Sequence, residues 1–183
     1  MPTMISLLRG VNLGGHHKIK MDELRALYQF LKLRDPQTYV QSGNVIFRTE
    51  EKDQARLSKR IEQAIEKKFG FHSDVILRRE SELREVVAQN PFAGRSGIEL
   101  NKLTVTFFAE DLSKETCAEI LRIKCNPEEI KLRRRELYIY FADGIGRSKL
   151  TPILDKVLKK TGTFRNWNTV TRLLAMAETL EAG

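Results

Sequence analysis

The chain of 183 residues carries 32 Lys and Arg against 24 Asp and Glu, a formal net charge of +8, with 41% hydrophobic and 31% charged residues. That balance belongs to an ordinary globular chain, long enough for one domain or two small ones. No apolar run approaches the roughly 18 residues of a membrane span, and Cys117 and Cys125 are too few for a disulfide framework.

Met1-Pro2-Thr3-Met4-Ile5 lacks the basic-then-apolar order of a secretory signal, so a cytoplasmic address is expected. Ile5–Arg9 reads as a short strand. Met21, Leu24, Leu27, Tyr28 and Leu31 recur at helical spacing. Two β-rich runs, Thr38–Gln41 and Val45–Thr49, flank Ser42-Gly43-Asn44, a hairpin turn with a glycine available for positive φ. Asp53 is a natural cap for a helix with the stripe Leu57, Ile61, Ala64, Ile65 and Phe69, and Val75–Arg79 closes the unit as a strand. A helix near Glu82–Gln89 and a loop from Asn90 to Gly97 follow.

The same order then repeats. Leu103–Phe107 alternates as a half-buried strand. Ser113 caps a helix carrying Cys117, Ile120 and Leu121, with Cys117 a small hydrophobe on its inner face. Ile130–Leu132 and Leu137–Phe141 form a hairpin around Arg133-Arg134-Arg135. Thr151-Pro152 starts a helix whose Ile153, Leu154, Val157 and Leu158 face inward. Thr163–Trp167 supplies the last strand. A terminal helix bearing Val170, Leu173, Leu174 and Ala177 follows, with Asn168 as its cap and Trp167 in the core. The fold class is α+β: two ferredoxin-like βαββαβ units with antiparallel sheets, helices on one face, and a C-terminal helix. The units are expected over residues 1–79 and 102–183, joined by residues 80–101.

Strand direction decides which loops share an end. The segment Arg9-Gly10-Val11-Asn12-Leu13-Gly14-Gly15 falls beside Ser42-Gly43-Asn44, and Gly144-Ile145-Gly146-Arg147-Ser148-Lys149 beside Arg165-Asn166-Trp167-Asn168. These segments also carry a resemblance. Leu8–Gly15, Met21, Tyr39–Val45, Asn90-Pro91-Phe92, Arg147–Leu150 and Arg165–Thr169 resemble the successive motifs of bacterial domain-of-unknown-function family 1697. The resemblance implies a bacterial, cytosolic, duplicated α–β plait and brings no catalytic residues with it.

Chemical motifs are sparse. Gly15 is followed by His16-His17, not by the Lys-Ser/Thr of a phosphate loop. His16, His17 and His72 have no metal-ligand spacing around them, and Ser42 lacks a nucleophile elbow, so neither a metal nor a cofactor is expected. Arg and Asn at loop ends are suited to anions through forked or helix-terminal contacts. The leading reading is binding of a small phosphorylated or otherwise anionic ligand between the two units by Arg9, Asn12, Ser42, Asn44, Arg147, Lys149, Arg165 and Asn166. A second is a nucleic-acid-binding module, because residues 131–172 hold eleven Lys or Arg against Glu136, Asp143 and Asp155. A third is an enzyme acting on the anionic ligand. No membrane partner is expected, and the sequence leaves oligomeric state open.

Overall fold

The structure, a computed structural model, describes all residues from Met1 to Gly183. Its elements are β1 (Thr3–Leu8), α1 (Met21–Phe30), β2 (Arg34–Tyr39), β3 (Asn44–Arg48), α2 (Gln54–Phe69), β4 (Val75–Arg79), α3 (Glu80–Ala88), β5 (Leu103–Phe107), α4 (Lys114–Arg122), β6 (Glu129–Arg133), β7 (Glu136–Tyr140), α5 (Leu150–Val157), β8 (Thr163–Asn166) and α6 (Trp167–Ala182). The strands form two antiparallel sheets of identical order, β2-β3-β1-β4 and β6-β7-β5-β8. No helix is long and apolar enough to cross a membrane.

Two compact units emerge, Met1–Glu85 with Arg172–Gly183, and Val86–Thr171. The segment expected to join the units is thus divided between them, and the later turns of α6 group with the first. Those turns are fastened there. Glu181 accepts the Thr3 N–H at 2.8 Å, Arg84 meets Glu178 at 3.2 Å, and Arg48 donates to the Leu180 carbonyl.

In the first unit, Met4, Leu8, Val45, Phe47, Val75 and Leu77 point from the sheet to Leu24, Leu27, Leu57, Ile61 and Ile65 of α1 and α2. Each fully buried aliphatic side chain contributes about 1.5–3 kcal/mol relative to exposure. Ser6 shares a 2.7 Å hydrogen bond with the buried Tyr28 hydroxyl. Asp53 caps α2 by accepting from the Arg56 N–H, as expected. Strand β2 begins at Arg34, earlier than Thr38, and admits Pro36 because it is an edge strand with an irregular register between Arg34 and Gln37.

In the second unit, Leu137 and Ile139 pack with Ile120, Leu150, Leu154 and Leu158. Ser113 caps α4. The short helices turn less completely inward than their stripes suggest: Leu121 is 74% and Ile153 44% exposed, and Cys117 is half-buried. The sheet differs from expectation as well. Leu103–Phe107 is buried throughout, not alternating, because both faces are covered. Opposite the helices, the Tyr138 hydroxyl donates to the Val86 carbonyl at 2.7 Å and Phe92 packs on Tyr140 at 6.0 Å. Segment 86–97 therefore covers the face opposite the helices.

The register makes the duplication visible residue by residue. Leu8 N–H donates to the Gly43 carbonyl and Phe108 N–H to the Arg135 carbonyl, each at 2.9 Å. Counting from those bonds matches Ile5 with Val105. Their partners on the last strands are Arg78 and Arg165, both buried.

Candidate functional site

The loop after β1 does meet the β2–β3 hairpin. Asn12 has φ 56°, a conformation asparagine tolerates better than most residues. Its amide donates to the Ile19 carbonyl at 3.0 Å and the Gln41 carbonyl at 2.7 Å, while its Oδ1 accepts the Ile19 N–H at 2.9 Å. Asn12 therefore ties the loop shut and fastens it to the hairpin. Asn44 is fully buried and donates to the Tyr39 carbonyl at 3.0 Å and Ser42 Oγ at 2.9 Å. Gly43, at φ 76°, lies so close that a Cβ would stand 2.8 Å from Leu8 Cβ.

Arg9 stands apart from that corner. Its guanidinium meets Asp74 at 3.5 Å, and Asp74 also accepts from His72 Nε2 at 2.9 Å. Donation to the Asp74 carboxylate holds the His72 imidazole above its ordinary pKa. His16 and His17 are exposed, with His17 stacked on Phe71 at 4.3 Å.

Beside the Asn12–Gln41 tie lies an open depression of about 490 Å³, lined by Lys20, Met21, Asp22, Arg25, Thr38, Val40 and Gln41. Lys20 occupies the N-cap position of α1 and makes no capping bond. The first-turn N–H groups thus receive no capping acceptor from Lys20. Arg25 donates to Thr38 Oγ1 and to Asp22, so one guanidinium bridges helix and strand along the wall. Asp22 and Glu23 occupy the first turn of the same helix.

The second pair of segments is arranged differently. Gly144–Lys149 leaves β7 at the sheet end where β8 finishes, since Tyr140 pairs Leu103 and Asn166 pairs Thr104. Arg147 and Lys149 are exposed, and the loop's hydrogen bonds stay local: Gly144 N–H to Phe141, Arg147 N–H to Gly144 and Ser148 N–H to Ile145. Arg165 is 7% exposed and donates to Thr163 Oγ1 at 2.8 Å and the Phe164 carbonyl at 2.9 Å. Burial pulls its guanidinium pKa down to about 10. Asn166 donates to the Asn101 carbonyl at 2.8 Å and accepts the Asn168 N–H at 3.0 Å. The cap of α6 is therefore Asn166 and not Asn168, while Trp167 is buried as expected.

Comparison with known proteins fits this fold. Residues 1–138 match the family described as "Protein of unknown function (DUF1697)". The chain belongs to this family. The match ends before the DUF1697-like motifs at Arg147–Leu150 and Arg165–Thr169. A solved structure of the conserved bacterial protein SP0830 from Streptococcus pneumoniae superposes with a TM-score of 0.81 over 97% of this chain and 99% of its own, at 21% identity. That likeness concerns the fold alone. No curated protein matches.

Several of the DUF1697 motif residues thus have local structural duties here. Asn12, Ser42 and Asn44 build a corner, Asn166 caps a helix, and Asn90 Oδ1 accepts the Phe92 N–H at 2.9 Å. Lys20 and Arg25 drew no notice in the sequence, and Thr38 and Gln41 stood there only as strand residues, Gln41 also within a family motif. Their signal was a lysine, rather than an asparagine or serine, just ahead of a helix start.

Proposed function

We propose that this protein binds a small anionic, phosphate-bearing ligand in the depression of its first unit. The observation carrying the reading is that Lys20 and Arg25 line one open depression together with the Thr38 hydroxyl and Gln41. Lys20 supplies a mobile point charge, and Arg25, already braced by Thr38 and Asp22, supplies a planar donor array. The N–H groups at the start of α1, uncapped by Lys20, add donors of the kind anions accept. Asp22 limits the ligand's charge by taking part of Arg25's. In this reading Asn12, Ser42 and Asn44 hold the wall, and Arg9, Arg147, Lys149, Arg165 and Asn166 do not touch the ligand.

Isothermal titration with inorganic phosphate, pyrophosphate and nucleoside mono- and diphosphates tests it. At least one should bind, and Lys20→Gln or Arg25→Gln should weaken it about 10- to 100-fold, the loss of one charge-assisted contact. Lys149→Gln should leave affinity unchanged. Absence of binding across the panel, or equal affinity in all three variants, would overturn the reading.

A further inference from the structure

At the opposite margin of the chemistry, the second unit gathers cations that its fold does not need. Arg133, Glu136, Phe107 and Thr163 form one row across the sheet, from β6 through β7 and β5 to β8. Just beyond that row lie the Arg134-Arg135 turn on one side and the turn after α5, with Lys159 and Lys160, on the other. Phe108 joins them. Its N–H donates to the Arg135 carbonyl at 2.9 Å, and Gly162 packs so closely that a Cβ would stand 2.7 Å from the Phe108 ring.

Arg133, Arg134, Lys159 and Lys160 are all exposed, and the ion pairs of this unit, Arg95–Glu129 and Lys102–Glu99, involve none of them. Glu110, Asp111 and Asp155 are the exposed acids of the neighbouring segments, and Glu136 is buried. Three of the four cations also occupy left-handed backbone: Arg134 at φ 48°, Lys159 at 50° and Lys160 at 58°. Glycine or asparagine suits such positions better. Charge thus sits where local conformation favours glycine or asparagine.

From this arrangement we infer that the Arg133–Arg134 and Lys159–Lys160 turns form a surface for single-stranded nucleic acid. Three strand spacings, about 14 Å, separate Arg133 on β6 from Thr163 on β8, too wide for one phosphate and suited to a run of phosphodiesters. Phe164, 53% exposed and four residues beyond Lys160, offers a ring for a base. The sheet itself is not the platform, since Tyr138 and Tyr140 are buried at 1% and 7% exposure.

Fluorescence anisotropy of the full chain with labelled 12-nucleotide oligo-dT and oligo-U tests the assignment. With four phosphate contacts on a single strand, affinity should fall about 50-fold between 50 and 200 mM salt. Arg133→Gln/Arg134→Gln and Lys159→Gln/Lys160→Gln should each reduce that fall to about sevenfold. Arg133→Lys/Arg134→Lys should keep the parental salt dependence, which separates charge from turn conformation. Phe164→Ala should weaken binding about tenfold with the salt dependence intact. Lys20→Gln/Arg25→Gln should change nothing, so this surface and the first-unit depression fail or stand separately. No binding at 50 mM salt would overturn the inference. So would tighter binding to a 12-base-pair dA·dT duplex than to oligo-dT, capture by phosphatidylglycerol vesicles in place of the oligonucleotides, or an unchanged salt dependence in both Gln pairs.

Discussion

The two units close the same end of the same sheet in opposite ways. In the first, the turn carbonyl that receives the Leu8 N–H belongs to Gly43, and neutral side chains complete the corner. In the second, the equivalent carbonyl belongs to Arg135, within a run of three arginines. The backbone bond is the same length in both. The hairpin therefore does not itself require glycine or arginine. Gly43 is required by its approach to Leu8 and Val11. Arg135 itself donates to the Ala109 carbonyl at 3.2 Å, whereas Arg133 and Arg134 are exposed.

Substitutions at these two turns test that contrast most strongly. Gly43→Ala combines left-handed strain with a Cβ pressed against Leu8 and should cost about 3 kcal/mol in urea unfolding. Arg135→Gly should change stability by less than about 1 kcal/mol. Equal losses at the two positions would erase the distinction. Next in size is Asn12→Ala, which removes three hydrogen bonds and a tolerated left-handed residue, for about 2 kcal/mol. Asn166→Ala should cost about 1 kcal/mol as a lost helix cap, and Asn168→Ala less than about 0.5 kcal/mol. The reverse order would return the cap to Asn168.

The smallest effect concerns His72. Its folded pKa is raised, so the pair with Asp74 favours folding below the unfolded value of about 6.5 and loses that contribution as pH rises through the folded value. His72 and Asp74 are each about half exposed, which keeps the contribution below about 1 kcal/mol. Proton–nitrogen correlation spectra should show the His72 titration above that of a model histidine, and Asp74→Asn should bring it down.

Much of the fold was legible because its strands and caps have local signatures. Val75–Arg79 and Leu103–Phe107 are strands over those residues, and Asp53 and Ser113 cap the helices that follow them. The meeting of the Asn12 loop with the hairpin followed from strand direction alone. Other features have no local signature. Leu121 and Ile153 sit on helices of nine and eight residues, too short for a stripe to separate inner from outer faces. Burial of Tyr138 and Tyr140 depends on a distant covering segment, and Arg78 reads as one more surface charge until its strand is paired. The loop residues were recognisable, but their duties were not. Asn12 and Asn166 carry the same donor and acceptor groups whether they hold a ligand or the chain's own backbone.

Proton–nitrogen correlation spectra of labelled protein titrated with pyrophosphate, and with any tighter-binding nucleotide, test the placement of the site most directly. Saturable shifts should gather at Lys20–Arg25 and Thr38–Gln41, with Gly144–Lys149 and Arg165–Asn166 unmoved. Shifts centred on Arg147, Lys149 and Asn166, or no saturable shifts at Lys20 and Arg25, would contradict a binding site in the first unit.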